Sequence, residues 1–353
     1  MSDALYVKHV TQEDGKHLRL YSRAPRDYQV FEGLPAVDSS QAHLRKHPLS
    51  GEWIGLSTAR QARTFLPNVA DCPFCPMQEG GDLTDIPVDD YEVAIFSNRF
   101  AALTQSPSAP PDIGVDTRAA IGICEVISYS AQHNGSLATI GADRIALLAS
   151  AIGQRVGEML EDGQIEFVLP FENRGRAIGA TLDHPHGQIY AFDHLPARTR
   201  AQADSFVRGN PLAYLGSTVP ADQIVAQNDA GIAFVPEWAR YPFEIWVVPY
   251  SRVSSPAGLS SQELAGFGAL MGEAAAKLDA VFDDVMPYTM SWQIAPRGYE
   301  DVFHFHCQFQ PIQRGRSKLK FLASVEQFTG FFLLDLAPER AARILNGLES
   351  PDD

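Results

Sequence analysis

The sequence has few cysteines, no excess of positive charge and no long apolar run, and each shortage excludes a class of protein. Four cysteines among 353 residues are too few for a disulfide-stapled secreted scaffold. Acidic side chains number 43 against 28 lysines and arginines, and the formal charge of −15 argues against nucleic acid or anionic lipid as partners. No apolar stretch approaches the roughly 20 residues of a membrane span. The N-terminus lacks a basic-then-apolar leader, so we expect a cytoplasmic protein.

What the sequence does contain is a repeat of about 120 residues, recognisable from the order of its elements. Helical spacing of apolar residues marks one long helix in the first copy, and short apolar runs mark its strands. The expected elements are strands at Tyr91–Phe96 and Ile121–Ile127, a helix at Asp143–Leu160, a strand at Ile165–Phe171 and a closing strand at His184–Tyr190.

The second copy follows the same order. Its helix is expected to start at Ser260, because Glu263 completes an S-x-x-E capping box. Both copies close on His-x-His-x-Gln within an apolar strand. The expected elements are strands at Ala233–Val235 and Phe243–Val248, a helix at Ser260–Val281, a strand at Tyr288–Ile294 and a closing strand at His304–Phe309.

Adjacent strands with one long helix per copy predict an α+β fold with a mostly antiparallel sheet and helices packed on it. We expect the copies, residues 1–195 and 196–353, to join their sheets in one pseudo-symmetric domain. The segments Ser106–Pro111 and Leu195–Pro220 are predicted to be loops or irregular connections.

Two clusters could carry chemistry. Alternation in a strand places His184 and His186 on one face, while Pro185 favours an edge or a bulge. Neutral imidazole can act as a nucleophile at pH 7, although a histidine in this setting can also be a satisfied core residue. Cys72 and Cys75 have the spacing of a metal-binding turn, with a redox pair or plain buried thiols as alternatives.

Several runs, taken together, resemble the galactose-1-phosphate uridylyltransferase family, the transferase branch of the histidine-triad superfamily. The resemblance covers nearly the whole chain. Its motifs are Pro48–Trp53, Cys72–Cys75, Ser97–Leu103, Phe171–Gly175 followed by Gly179, His184–Gln188, Tyr241–Glu244 and Lys318–Phe321.

The resemblance implies two tandem histidine-triad-like repeats and a nucleotidyl transfer between a nucleoside diphosphate sugar and a sugar 1-phosphate. His186 is then the nucleophile, with its other ring nitrogen held by a backbone carbonyl. Gln188 would bind a phosphoryl oxygen of the covalent intermediate. UMP would pass from UDP-glucose to galactose 1-phosphate in ping-pong order.

The same resemblance implies a metal site of two thiolates and two imidazoles, Cys72, Cys75, His133 and His184, holding structural zinc or iron. Some family members carry a second metal. Here His304 and His306 match two of its ligands, but Gln293 stands in place of a third and no acid stands at the fourth, near Gln202. We therefore expect the second metal to be absent or weakly bound.

Substrate contacts are also implied only by resemblance. A homodimer is implied as well, because the C-terminal segment of this family reaches the partner's site. Arg99, Val325 and Phe332 depart from the family pattern, so a related transferase or phosphorylase using an ADP- or GDP-sugar stays open as the alternative. The implied contacts are Arg60 and Arg63 for phosphate, Asn98, Asn173, Gly179, Thr181 and Gln188 for the nucleotide, and Lys320, Phe321 and Glu326 for the hexose.

Overall fold

The computed structural model describes residues 5–11, 16–31, 41–58, 61, 67–82, 84–213 and 218–352. Within them, the chain forms one large sheet, two small sheets and five α-helices. The strands are β1 Tyr6–Thr11, β2 His17–Ser22, β3 His43–Lys46, β4 Trp53–Leu56, β5 Val93–Ser97, β6 Thr117–Ala119, β7 Gly122–Ser128, β8 Phe167–Arg174, β9 His186–Phe192, β10 Ile224–Asn228, β11 Gly231–Phe234, β12 Ile245–Pro249, β13 Tyr288–Gln293, β14 His306–Pro311, β15 Gln313–Gly315 and β16 Lys318–Leu319. The helices are α1 Ala142–Glu161, α2 Ala197–Val207, α3 Ser261–Ala280, α4 Ser324–Thr329 and α5 Pro338–Leu345.

The large sheet has eleven strands in the order β1-β2-β5-β7-β9-β8-β13-β14-β12-β11-β10, and its neighbouring strands are antiparallel. The two halves meet where β8 pairs with β13. Outward from that seam, β9 corresponds to β14, β7 to β12, β5 to β11 and β2 to β10. This pseudo-two-fold arrangement confirms the α+β fold and the joined sheets expected from the repeat.

Two long helices, α1 and α3, pack against each other and against the sheet. The predicted apolar stripe of α1 is buried, which explains why this segment is helical. Ser260 and Glu263 form the predicted capping box at the start of α3. A Cβ at Gly268 would lie 2.5 Å from the carbonyl oxygen of Ala142, so glycine permits the close helix approach. No helix in the described ranges combines the length and apolarity of a membrane span.

Two details differ from the sequence-based expectation. The region predicted as an irregular connection, Leu195–Pro220, contains α2, whose Ala203 and Phe206 are buried in a small apolar cluster. The closing strand β9 starts at His186, so His184 and Pro185 form a bend before it. Proline cannot donate to a strand ladder, which favours this bend. His184 therefore leaves the sheet and is not side by side with His186 in one strand.

Candidate active site and metal centre

His186 lies at the first position of β9, opposite Ser128 of β7. Its Nδ1–H donates to the carbonyl oxygen of His184 at 2.7 Å, the expected backbone contact. That bond assigns the ring proton to Nδ1 and leaves the lone pair on Nε2. Burial lowers the pKa of His186, and the hydrogen bond opposes the shift only in part. The imidazole is therefore neutral near pH 7 and carries a free electron pair.

Two cavities meet at His186 and Leu182. One, of about 80 Å³, is also lined by Asn98, Thr181 and Gln188. The other, of about 260 Å³, is lined by Asn173 and Glu172 among others. Side chains on β9 alternate in direction, so Gln188 faces the same side of the sheet as His186. An electrophile bound across His186 would thus find amide and hydroxyl groups on both sides.

Gly179, another of the predicted contacts, lines neither of these two cavities. It has φ +81° and ends a short 3-10 turn, where its N–H donates to the carbonyl oxygen of Arg176 at 2.9 Å. Thr181 follows two residues later and does line the smaller cavity. The positive φ at Gly179 favours glycine and turns the chain towards Thr181.

The four predicted metal ligands come together beside this site. The ligand atoms of Cys72, Cys75, His133 and His184 all lie within 4.8 Å of one another. His184 Nδ1 is 3.7 Å from each sulfur, and His133 Nδ1 is 3.4 Å from Cys75 Sγ. The Nε2–H of His184 donates to the carbonyl oxygen of Ser130 at 2.7 Å, which leaves Nδ1 unprotonated towards the thiols.

These separations fit a tetrahedral metal. With Zn–S of about 2.3 Å and Zn–N of about 2.0–2.1 Å, tetrahedral angles place sulfur and nitrogen about 3.6 Å apart. Burial, followed by the neighbouring Cys72 sulfur, raises the pKa of Cys75 to about 12 in the metal-free chain. A thiol with so high a pKa becomes a thiolate only beside a compensating cation. The cluster can therefore hold a metal ion.

The Cys/His cluster contacts His186 through a backbone carbonyl and an aromatic ring. The carbonyl that holds His186 belongs to His184, a cluster residue. The loop between the two cysteines also delivers Phe74, whose ring lies edge-on to His186 at 5.1 Å between centroids. Cluster formation thus positions both the backbone and one wall of the cavity around the imidazole.

Behind His186 lies a buried network that the sequence reasoning did not single out. A Cβ at Gly187 would lie 2.6 Å from the hydroxyl of Tyr129 and 2.7 Å from the carbonyl oxygen of Phe171. Tyr129 donates to Glu172 at 3.2 Å, and Tyr288 of the second half donates to the same carboxyl group at 3.3 Å. Desolvation raises the pKa of Glu172 to about 7. The only sequence signal for it was the Phe171–Gly175 motif.

In the second half, His304 and His306 have both ring nitrogens engaged within the protein. His304 Nε2–H donates to the carbonyl oxygen of Pro249 at 2.8 Å, and its Nδ1 lies 3.2 Å from the amide of Asn210. His306 Nδ1–H donates to the carbonyl oxygen of His304 at 2.8 Å, and its Nε2 accepts from Gln308 at 3.0 Å. The weakness of a second metal site stays a prediction.

The predicted hexose contacts, Lys320, Phe321 and Glu326, line neither of the two cavities at His186. Lys320 and Glu326 form a buried ion pair at 2.5 Å, whereas Phe321 is 72% exposed. Their role stays a prediction that requires a partner subunit. Arg60 and Arg63 lie outside the described residues.

Arg99, the main departure from the family pattern, lines the smaller cavity, where its Nε is buried without a hydrogen-bond partner in the described structure. Pro73, Asp85, Phe96 and Phe100 complete much of the same wall and were not identified from the sequence. Pro73 and Phe100 lie within recognised motifs and Phe96 directly precedes one, whereas Asp85 had no signal in the sequence.

A duplicated antiparallel sheet, with a neutral imidazole at the head of a central strand, is the arrangement that the sequence resemblance implied for a nucleotidyl transferase. Two family models match this chain: galactose-1-phosphate uridyl transferase, N-terminal domain, at residues 32–196, and C-terminal domain, at residues 212–351. A galactose-1-phosphate uridylyltransferase of Thermotoga maritima is 34% identical over 321 residues, covering 87% of this chain and 98% of that protein. The chain belongs to the galactose-1-phosphate uridyl transferase family.

Solved structures agree on the fold. A structure described as uridylyltransferase has a TM-score of 0.76 and 26% identity, covering 87% of this chain and 98% of its own. An ADP-glucose phosphorylase from Arabidopsis thaliana, with bound ADP-glucose, has a TM-score of 0.67 at 22% identity, covering 87% of this chain and 98% of its own. At that identity the second likeness concerns the fold alone.

Proposed function

We propose that this enzyme exchanges UMP between UDP-glucose and galactose 1-phosphate through a covalent uridylyl group on His186. The observation that carries the proposal is the hydrogen bond from His186 Nδ1–H to the carbonyl of His184, which directs an unprotonated Nε2 into the cavity shared with Gln188. Family membership and the Thermotoga maritima relative support the choice of substrates.

In the first half-reaction, Nε2 of His186 attacks the α-phosphorus of UDP-glucose. The Nε2–P bond forms, and the bond from that phosphorus to the bridging oxygen breaks, releasing glucose 1-phosphate. Its phosphate leaves as an anion, so no proton donor is needed. The amide of Gln188 donates to a phosphoryl oxygen. A phosphate oxygen of galactose 1-phosphate then attacks, the Nε2–P bond breaks, and UDP-galactose leaves with His186 restored.

The proposed metal is zinc, held by Cys72, Cys75, His133 and His184. Two thiolates and two neutral imidazoles make a neutral complex with Zn²⁺, which suits a closed structural site. Bound there, the ion supplies rigidity. His184 then fixes its own carbonyl for His186, and Phe74 stays against the nucleophile.

We also propose a homodimer with shared active sites. The C-terminal segment exposes several large apolar side chains, more than an isolated surface normally gathers in one stretch. Lys320 and Glu326 pair internally and hold that segment in shape. The exposed fractions are 72% for Phe321, 86% for Phe328, 64% for Phe331 and 52% for Leu333. Action in the cytoplasm and the absence of a nucleic-acid partner stay predictions from the sequence.

The test is the mass of the protein after incubation with UDP-glucose alone. We expect one uridylyl group per chain, removed by galactose 1-phosphate, and none in His186→Gly. The matched control is His194→Gly, which removes a partly exposed histidine from the chain segment after β9. An unmodified wild-type protein that still turned over substrates in one displacement step would contradict the mechanism.

A different nucleotide is the second candidate, favoured by Arg99 in the cavity. A guanidinium donates hydrogen bonds and accepts none, so it binds base carbonyls or phosphate where a carboxylate would bind ribose hydroxyls. Incubation with ADP-glucose and GDP-sugars under the same conditions distinguishes the candidates. Labelling by ADP-glucose but not by UDP-glucose would assign the enzyme to the alternative class.

A further inference from the structure

The second half contains a cavity of about 310 Å³ over β14, larger than the 80 Å³ cavity of Asn98 and Gln188. We call it the second-half cavity. Its walls include Phe206, Trp238, Trp246, Phe303, His306 and Gln308. Because β14 corresponds to β9, His306 and Gln308 occupy the positions that His186 and Gln188 occupy in the first half.

The histidine of the second-half cavity cannot act as a nucleophile in this arrangement. Its Nδ1–H donates to the carbonyl oxygen of His304, and its Nε2 accepts a hydrogen bond from Gln308 at 3.0 Å. The ring is also stacked on Trp246, with centroids 5.0 Å apart and an interplanar angle of 21°. No lone pair remains for attack, so the cavity can bind a ligand but not react with it.

The walls favour a planar ring. Trp238 and Trp246 meet edge-on at 5.6 Å between ring centroids, and Phe206 and Phe303 pack at 4.5 Å. Trp238 is 43% exposed, so part of this aromatic surface is open to solvent. Ligand cavities of roughly 300–1,000 Å³ with mostly apolar walls bind flat organic groups with few polar contacts. Aromatic faces stack on such rings.

One edge of this cavity is positively charged in a chain of net charge −15. Arg240 donates to Gln308 of the cavity wall at 3.4 Å, and a Glu244 carboxylate oxygen 3.9 Å away partly compensates its charge. Arg198 lies one turn of α2 before Gln202, another wall residue. Arg198 makes no hydrogen bond and no ion pair within the described part of the chain. Both guanidiniums lie over the ring of Phe332, at 5.8 and 5.6 Å.

We propose that the second-half cavity is a non-catalytic binding site for a nucleoside monophosphate. The base lies among Trp238, Trp246 and Phe206, and the phosphate lies at Arg198 and Arg240. Guanidinium groups bind phosphate oxygens in pairs, and Arg198, which has no ion pair among the described residues, keeps its N–H donors available for a ligand. The site binds independently of the reaction proposed for His186.

The test is equilibrium dialysis of the full-length chain with UMP and, separately, AMP. We expect two nucleotides per chain, one of them at the second-half cavity. Arg198→Ala should weaken that site for UMP by about tenfold or more and leave its affinity for uridine unchanged. Trp238→Ala should weaken the binding of both UMP and uridine at that site. Arg208→Ala, at the exposed end of the same helix, is the control and should change neither.

Arg198 is exposed and Trp238 is 43% exposed, so their variants should fold, and circular dichroism checks this. A wild-type stoichiometry of one nucleotide per chain, bound with an affinity that Arg198→Ala leaves unchanged, would overturn the proposal. So would an Arg198→Ala protein that binds two UMP with wild-type affinities. Neither result bears on covalent labelling of His186, which is measured separately by mass.

Discussion

Replacing Gly187 by alanine adds one methyl group directly behind the proposed nucleophile. The new Cβ would lie 2.6 Å from the Tyr129 hydroxyl and 2.7 Å from the carbonyl oxygen of Phe171. Neither neighbour can give way easily. Tyr129 is buried and hydrogen-bonded to Glu172. The carbonyl oxygen of Phe171 is part of the backbone of β8, where Phe171 pairs with Gln188 of β9.

The expected cost follows from that crowding. Overpacking a filled core costs about 1–3 kcal/mol, and here the strand must shift because the obstacles are a backbone oxygen and a fixed hydroxyl. We expect Gly187→Ala to lose about 2–3 kcal/mol of unfolding free energy. Because β9 carries His186 next to the added methyl group, kcat should fall further, by about 100-fold for a displacement near 1 Å.

The assay compares urea unfolding and kcat for Gly187→Ala with those of Gly157→Ala. Gly157 lies on an exposed face of α1, and a Cβ there meets nothing within 4 Å. The unfolding free energy of that control should rise by about 1 kcal/mol, because alanine is the better helix former, and its activity should be unchanged. A Gly187→Ala protein as stable and active as wild type would refute the packing argument.

Three further predictions concern the metal, the buried carboxyl group and the assembly. Cys75→Ser should lower bound zinc, measured by plasma emission, to well below one per chain and reduce thermal stability, whereas Cys124→Ala should keep full metal. Glu172→Gln should remove a pH dependence of stability. The folded-state pKa of about 7 lies above the usual 4.5, so stability falls by about 3 kcal/mol as pH rises between those values. Urea titrations that give both proteins the same change in unfolding free energy between pH 5 and pH 8 would contradict this. Phe328→Glu should give monomers in sedimentation and low activity, while Leu49→Glu, at an equally exposed leucine, should remain dimeric.

The local periodicity of apolar residues predicted most of the helices and strands. The stripe from Ile145 to Met159 predicted α1, and the Ser260–Glu263 pair predicted the start of α3; both are as expected. α2 was missed because its apolar side is short and sits in a segment with loop-like composition. It is stabilised by tertiary packing of Phe206 and Ala203, which no local pattern encodes.

Several properties of the candidate site depended on contacts between distant residues. Spacing marked Cys72 and Cys75, but family resemblance was needed to add His133 and His184, which lie 58 to 112 residues from the sulfurs they face. No spacing could show that Tyr129 closes the space behind Gly187, or that Gln308 occupies the lone pair of His306.

The sequence by itself determined the repeat, the two long helices and the paired His-x-His-x-Gln strands, because helix and strand periodicities are properties of neighbouring residues. Tertiary structure alone decided which imidazole keeps the lone pair of its Nε2 available among the described residues. His186 and His306 make the same backbone hydrogen bond, but only the second is also held by its own glutamine. That difference arises from how each strand packs against the opposite walls of its cavity, and packing is a property of the whole chain.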